Sequence, residues 1–273
     1  MLESNRNKQK LMDELVGLRY SAVAVKLIRE GDALPEGTVQ PTKDWGKHIA
    51  LCQAFAFARR QDKIIYMEKE DHWCWNPLIT YGMIDNATAK KGFRELSDTW
   101  FGGNTAAGDA YVDSFPTMPY GEYKGILVAP LNNADFQPDV TLVYCKNDQL
   151  RVFLMAIETQ THRMLDSSFN SVDSCVYCIV PSMKEGAYRI TIPDPGEYER
   201  ALTPEDDIIL TVPQQRETEF YKGVEAQLAR GGRQTFYMTM KEDFSRPEFY
   251  NILYKAWGLP VSEEWDKPVK IGG

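Results

Sequence analysis

Apolar runs separated by polar, glycine- and proline-bearing breaks divide this chain into a succession of short strands and amphipathic helices. Leu11, Leu15, Val16 and Leu18 recur at helical spacing and predict an N-terminal helix of about three turns. Residues 22–28 read as a strand, and the loop G-D-A-L-P-E-G-T-V-Q-P-T-K-D follows, with Thr42 or Asp44 placed to cap the next helix. On that helix Leu51, Ala54, Phe55 and Ala58 share one face, with Cys52 near its buried side and His48 one turn earlier. A strand at 63–68 then leads into D-H-W-C-W-N-P. Helices are expected at 87–99 and 106–112, strands at 125–131 and 140–144, and a helix at 149–158 that His162 ends. A second cysteine-bearing helix begins near Ser171 or Asp173, and Pro181 ends or kinks it. Strands at 188–192 and 207–212 and a helix at 214–229 complete the body. The tail is rich in aromatic residues (Phe236, Tyr237, Phe244, Phe249, Tyr250, Tyr254, Trp257, Trp265), which predicts packing on the body or on a second subunit.

The same plan is visible twice. Residues 21–34 match 138–150 in pattern and in their polar exit, and the stretch from Cys52 to Cys74 parallels the one from Cys175 to Asp194. Each unit reads as strand, crossover, cysteine-bearing helix, strand and ligand-type residue. The expected architecture is an α/β (α+β) fold, with a mixed sheet built from two pseudo-twofold-related β-α-β units. One duplicated domain spans 1–230, with repeats at about 21–85 and 124–213 around an aromatic-rich insert at 86–123, and a C-terminal extension covers 231–273.

Composition narrows the function classes. With 43% hydrophobic and 26% charged residues in 273, the chain is ordinary globular protein. A formal charge of −8 and no Lys/Arg run argue against nucleic-acid binding, which needs a basic surface to displace phosphate counterions. The polar N-terminus and the lack of a long apolar stretch predict a cytoplasmic protein with no membrane partner. Five cysteines in such a chain favour ligand or buried-thiol roles over a disulfide framework.

A pseudo-dyad between the units would bring Cys52, Cys74, Cys175 and Asp194 toward one axis, where soft and carboxylate groups suit an iron–sulfur cluster, zinc or iron. Cys178, three residues after Cys175, is the alternative fourth ligand. The position of Cys175 in the first turns of a helix favours its thiolate. Cys74 lies between Trp73 and Trp75, whose indoles exclude water. Cys145 ends a strand and reads as core. His72, two residues from Cys74, is the candidate proton donor, and Asp206 and Asp207 read as solvated turn residues. No P-loop, G-x-G-x-x-G, H-E-x-x-H or nucleophile elbow occurs, which disfavours ATP and nicotinamide chemistry.

From about Leu15 to Pro213 the chain resembles the prokaryotic family called domain of unknown function 169, described as cysteine-rich proteins. The likeness is carried by A-V-K-L at 24–27, L-P-E-G at 34–37, C-Q-A at 52–54, A-R at 58–59, A-P-L at 129–131, P-D-V at 138–140, S-F at 168–169 and D-D-I-I-L-T-V-P at 206–213. The resemblance implies a cysteine at each of the four ligand positions. Here the last is Asp194, and Trp75 and Asn76 stand where a glycine pair follows the second cysteine, which implies a pocket reshaped by indoles. The expectation is an oxygen-sensitive metalloprotein with a 4Fe-4S cluster, or Zn or Fe. It would carry out redox or lyase chemistry on a small organic substrate, aromatic ones included, with a homo-oligomer or redox partner. The alternative is a non-catalytic binding or accessory protein with structural zinc or buried thiols.

Overall fold

The computed structural model describes residues 1–169, 174–232 and 249–259. Helix α1 (Leu2–Val16) is longer than its apolar spacing suggests, because Asn5 and Gln9 are buried polar anchors. Asn5 donates to the carbonyls of Ala134 and Phe136, each at 2.9 Å, and Gln9 accepts the N–H of Ala22 at 2.8 Å. The chain then enters β1 (Val23–Ile28) and reaches α2 (Leu51–Gln61), β2 (Ile65–Glu68) and α3 (Trp75–Thr80). Three helices, α4 (Asn86–Glu95), α5 (Ser97–Trp100) and α6 (Thr105–Asp113), fill the insert. After β3 (Gly125–Pro130) and β4 (Val140–Cys145) come α7 (Asn147–Thr161), α8 (Ser174–Tyr177), α9 (Val180–Glu185) and β5 (Arg189–Thr191). The order closes with α10 (Pro195–Glu199), β6 (Ile208–Pro213), α11 (Glu217–Ala229) and α12 (Phe249–Ala256).

The six described strands form one sheet in the order β2-β3-β1-β4-β6-β5. The α/β class holds, while the sheet is antiparallel at each of its five pairings rather than mixed. The reason is that β3 inserts between β1 and β2, and β6 between β4 and β5. Each β-α-β unit is therefore split, its two strands running the same way but separated by a third that runs against them. Exchanging β1, β2 and β3 for β4, β5 and β6 reverses the order and leaves it otherwise unchanged. The two trios meet along β1 and β4, through Val23 with Leu142, Ala24 with Thr141 and Val25 with Val140.

Strand alternation sends successive side chains to opposite faces, and both faces are covered, so the strands read as continuous apolar runs. Ala24, Leu127, Ala129, Val143 and Leu210 pack under α1, α7 and α11 with Met12, Phe153 and Phe220. Val23, Val25, Leu27, Val128 and Leu142 pack on the other face beneath α2, α8 and α9 with Phe55, Tyr81 and Val176. Phe153 and Phe220 are fully buried with ring centroids 5.7 Å apart, and truncating either to alanine is expected to cost about 3–5 kcal/mol. Helices α7 and α11 approach closely at Gly223, where a Cβ would stand 2.2 Å from the Ala156 carbonyl oxygen. In the insert, Phe93, Val112 and Phe115 build a smaller cluster against Trp75, Tyr111 and Phe101.

Several local expectations change. Thr42 and Asp44 sit in a turn at Pro41–Trp45 and do not cap α2. That helix starts at Leu51 after Ala50, whose N–H donates to Gln53 Oε1 at 2.9 Å, so His48 lies outside it. Pro181 belongs to the first turn of α9, where no N–H is needed, and the break falls before it at Cys178 and Ile179. Asp207 is an ion partner of Lys146 at 2.7 Å and of Arg59 at 3.7 Å, with only 10% of its side chain exposed. His162 does end α7, in a left-handed conformation. Ser171 and Asp173, and Phe236, Tyr237, Phe244 and Trp265 of the tail, lie outside the described residues. Helix α12 is described and buries none of its residues.

Candidate functional site

The four residues at the proposed ligand positions take matching places in the fold. Cys52 is the second residue of α2 and Cys175 lies on α8, whose described residues begin at Ser174, while Cys74 and Asp194 each immediately precede a short helix, α3 and α10. All of these helices lie on the face of the sheet opposite α1, α7 and α11. Cys145 falls on that other face, as core.

Cys52 and Cys175 are buried, and Cys74 is half-buried. Cys52 packs with Ala50, Ala201 and Cys74, and its Sγ lies 3.6 Å from the Gly196 carbonyl oxygen. Its pKa is pushed up to about 12 by burial and then by the charge of Glu197, against a hydrogen bond from Arg200 that lowers it. The thiol of Cys175 is pushed well above its ordinary range by burial, then by Asp194, Cys52, Cys74 and Cys178, so it sits in the electrostatic reach of all four. A helix N-terminus contributes about 0.3–1 kcal/mol toward the thiolate. With the Cys52 thiol pushed up to about 12, burial outweighs the helix terminus and the thiol is neutral near pH 7.

Asp194 is engaged at both oxygens. Oδ1 accepts the N–H of Glu197 at 2.9 Å, and Oδ2 accepts the N–H and hydroxyl of Ser174 at 2.6 and 3.0 Å. It therefore caps α10 and pins the start of α8. The N–H of Cys178 returns to the carbonyl of Ser174 at 2.9 Å, and its thiol points into the apolar layer beneath the sheet, raised well above its ordinary pKa by burial. His72 is buried, with neither ring nitrogen hydrogen-bonded among the described residues, and burial lowers its pKa to about 4. At neutral pH it is an uncharged imidazole. Among the described residues, no three His, Cys, Asp or Glu side chains are gathered so as to hold a metal ion as they stand.

One feature was missed from sequence and a second was anticipated only in part. The first is a buried polar network behind Cys178: Glu197 accepts from Tyr144 at 2.7 Å and from Thr203 at 2.6 Å, and Arg59 stacks 3.4 Å over the Tyr144 ring while donating to Thr203 at 3.1 Å. Burial raises the Glu197 pKa, opposed by Arg59 and the two hydroxyl donors. The second is a cleft of about 330 Å3, walled by Trp73, Trp75, Trp100 and Tyr111, that reaches Cys74, Asp194, Gly196 and Arg200. Arg200 stacks 4.9 Å over the Trp73 ring. Burial lowers its pKa, and a hydrogen bond to the Cys52 sulfur together with the charges of Cys52, Cys74 and Asp194 more than offsets this, so the net direction is upward. The indoles flanking Cys74 were a legible hint of the cleft. Trp100, Tyr111 and Arg200 arrive from other segments and carried no local signal.

No described helix is long and apolar enough to cross a membrane. No curated protein and no solved structure matches the chain. Residues 11–222 of the 273 match the family model DUF169, described as Uncharacterised ArCR, and the chain belongs to that family.

Proposed function

We propose that this protein is a thiol-centred metalloprotein acting on a small organic substrate held in the indole-walled cleft. The observation that carries the reading is the neighbourhood of three thiols: Cys52 packs with Cys74, which lines the cleft, and both stand within electrostatic reach of Cys175, so a modest rearrangement would be needed to gather them. We read the symmetric strand order and the paired positions of Cys52 with Cys175 and Cys74 with Asp194 as an internal duplication. Thiols are the donor type that iron–sulfur clusters, iron and zinc select. Cys52, Cys74 and Cys175 would hold the group, and Asp194 stays a capping residue because its oxygens are occupied. Held by these residues, such a group would supply redox or Lewis-acid chemistry toward a substrate oxygen. Loading requires the thiols to lose their protons and the Arg200 guanidinium to leave the Cys52 sulfur.

Anaerobic purification with elemental analysis and an optical spectrum tests the proposal. The expected result is near-stoichiometric iron or zinc that is lost in Cys52→Ala and Cys175→Ala. Metal-free protein that is fully folded and indifferent to oxygen removes the reading.

A second reading has an observation of its own. The neutral Cys52 thiol, hydrogen-bonded to Arg200 and packed on Ala50 and Ala201, behaves as a core residue, as in a binding protein that needs no metal. In that case Cys52→Ser lowers thermal stability without altering any spectrum.

A further inference from the structure

We infer that the indole-walled cleft binds a planar aromatic carboxylate, its ring held between Trp73, Trp75 and Trp100 and its carboxylate on the guanidinium of Arg200. This rests on the reading of that cleft as the substrate site and supplies its ligand class. The carrying observation is the company Arg200 keeps. Arg29, Arg94, Arg189 and Arg216 pair with Glu122, Asp109, Glu185 and Glu219, while Arg6, Arg19, Arg60, Arg151, Arg163 and Arg230 share with Arg200 the lack of an acid partner among the described residues; Arg200 differs from those six in lining the cleft. Arg200 lies instead over an indole, folded against Gly196 so tightly that a Cβ there would meet its Nη2 at 2.0 Å. Among the described residues no carboxylate oxygen comes within ion-pair distance of it. An arginine in a partly dehydrated cleft without an acid partner is a fork for a bidentate anion.

Two acids also line the cleft, and neither makes it a cation site. The oxygens of Asp194 accept from Glu197 and Ser174, which directs them inward. Glu199 is exposed, where water screens it. The aromatic wall selects shape: Trp73 and Trp100 are 50% and 51% exposed, unusual for indoles in a folded chain, and they present open faces to the same space. A cleft of about 330 Å3 is at the small end of ligand sites and suits a one- or two-ring molecule.

The test is calorimetry on the full chain, reduced and stripped of metal with a chelator, so that it is independent of cofactor loading. The probes are 2-naphthoate, 2-naphthylmethanol and 2-naphthylmethylamine, which share a ring system and differ in charge. The carboxylate is expected to bind at least tenfold tighter than the alcohol, with the amine weakest. Arg200→Gln should erase that preference while the alcohol binds as before. Arg200→Lys, which keeps the charge without the fork and serves if the Gln variant misfolds, should cut it severalfold. Equal or tighter binding of the amine, a preference that survives both variants, or no binding of any probe overturns the inference. Each of these leaves the metal measurement above to stand or fall separately.

Discussion

Asp194 holds Ser174 at the start of the helix that carries Cys175: one carboxylate oxygen takes both the backbone N–H and the hydroxyl of Ser174, at 2.6 and 3.0 Å. The other oxygen caps α10 through Glu197, so one side chain fixes two helix starts beside the thiols. Removing it leaves buried donors without acceptors. Asp194→Ala is expected to destabilise the fold by about 2–4 kcal/mol in urea unfolding, with Asp194→Asn losing less than half of that. If Asp194 is a cap and not a ligand, metal content in Asp194→Asn stays at the wild-type level; a fall would reassign it.

The thiols set an alkaline limit. The pKa of Cys52 rises from 9.0 to about 12 on folding, so the folded state holds its proton more tightly than the unfolded chain. The stability associated with that group is complete below pH 9 and is lost as pH climbs from 9 toward 12. Cys52→Ala should flatten this fall in a series of unfolding curves. Iodoacetamide near pH 7 should label Cys52 and Cys175 of the metal-free native protein slowly, and quickly after unfolding. Equal rates in both states would contradict the burial account.

Glu197 is expected to matter more for folding than for exchange with solvent. It receives Tyr144 and Thr203 and balances Arg59, whose guanidinium is buried on the Tyr144 ring. Glu197→Ala strands two buried hydroxyls and leaves the buried Arg59 with Asp207 at 3.7 Å as its acid partner, and about 2–4 kcal/mol of stability should go with them. Arg59→Met in the same background should restore part of it, measured by thermal unfolding.

At Gly196 a methyl group would displace the Arg200 guanidinium, the movable end of a flexible side chain, and would also press on Asp194 Oδ1 at 3.0 Å. Gly196→Ala should therefore cost only about 1 kcal/mol in stability. It should shift tryptophan emission as the stack on Trp73 is lost, and it should lower naphthoate affinity. Gly223→Ala is the contrast. There the obstacle is the Ala156 backbone, nothing can yield cheaply, and the loss should reach about 3 kcal/mol.

Much of this was readable in the residues. The apolar runs placed the six described strands, and Cys52 and Cys175 were each placed on a helix, although the helix of Cys52 starts later than the sequence suggests. What could not be read was set by distant partners. The insertion of β3 between β1 and β2 depends on pairing with residues far along the chain, so the units looked like simple crossovers. The first two turns of α1 looked too polar because Asn5 and Gln9 spend their amides on Ala134, Phe136 and Ala22. The capping role of Asp194 was also legible. Asp-Pro-x-Glu is a helix-start signature, with Asp194 as cap, Pro195 in the first turn and Glu197 following, and it favoured a capping carboxylate over a ligand.

The place of β1 at the middle of the sheet has a consequence for biogenesis. Both of its neighbours come late, since Val23 pairs with Pro130 on one side and Leu142 on the other. On the ribosome this strand emerges early and must wait, its apolar edges unsatisfied, until the whole insert has been synthesised. During that interval it is open to mispairing with other nascent chains. Segments of the insert that fold by local contacts would shorten the distance to be closed, and slowing their translation should raise the aggregated fraction in a cell-free synthesis.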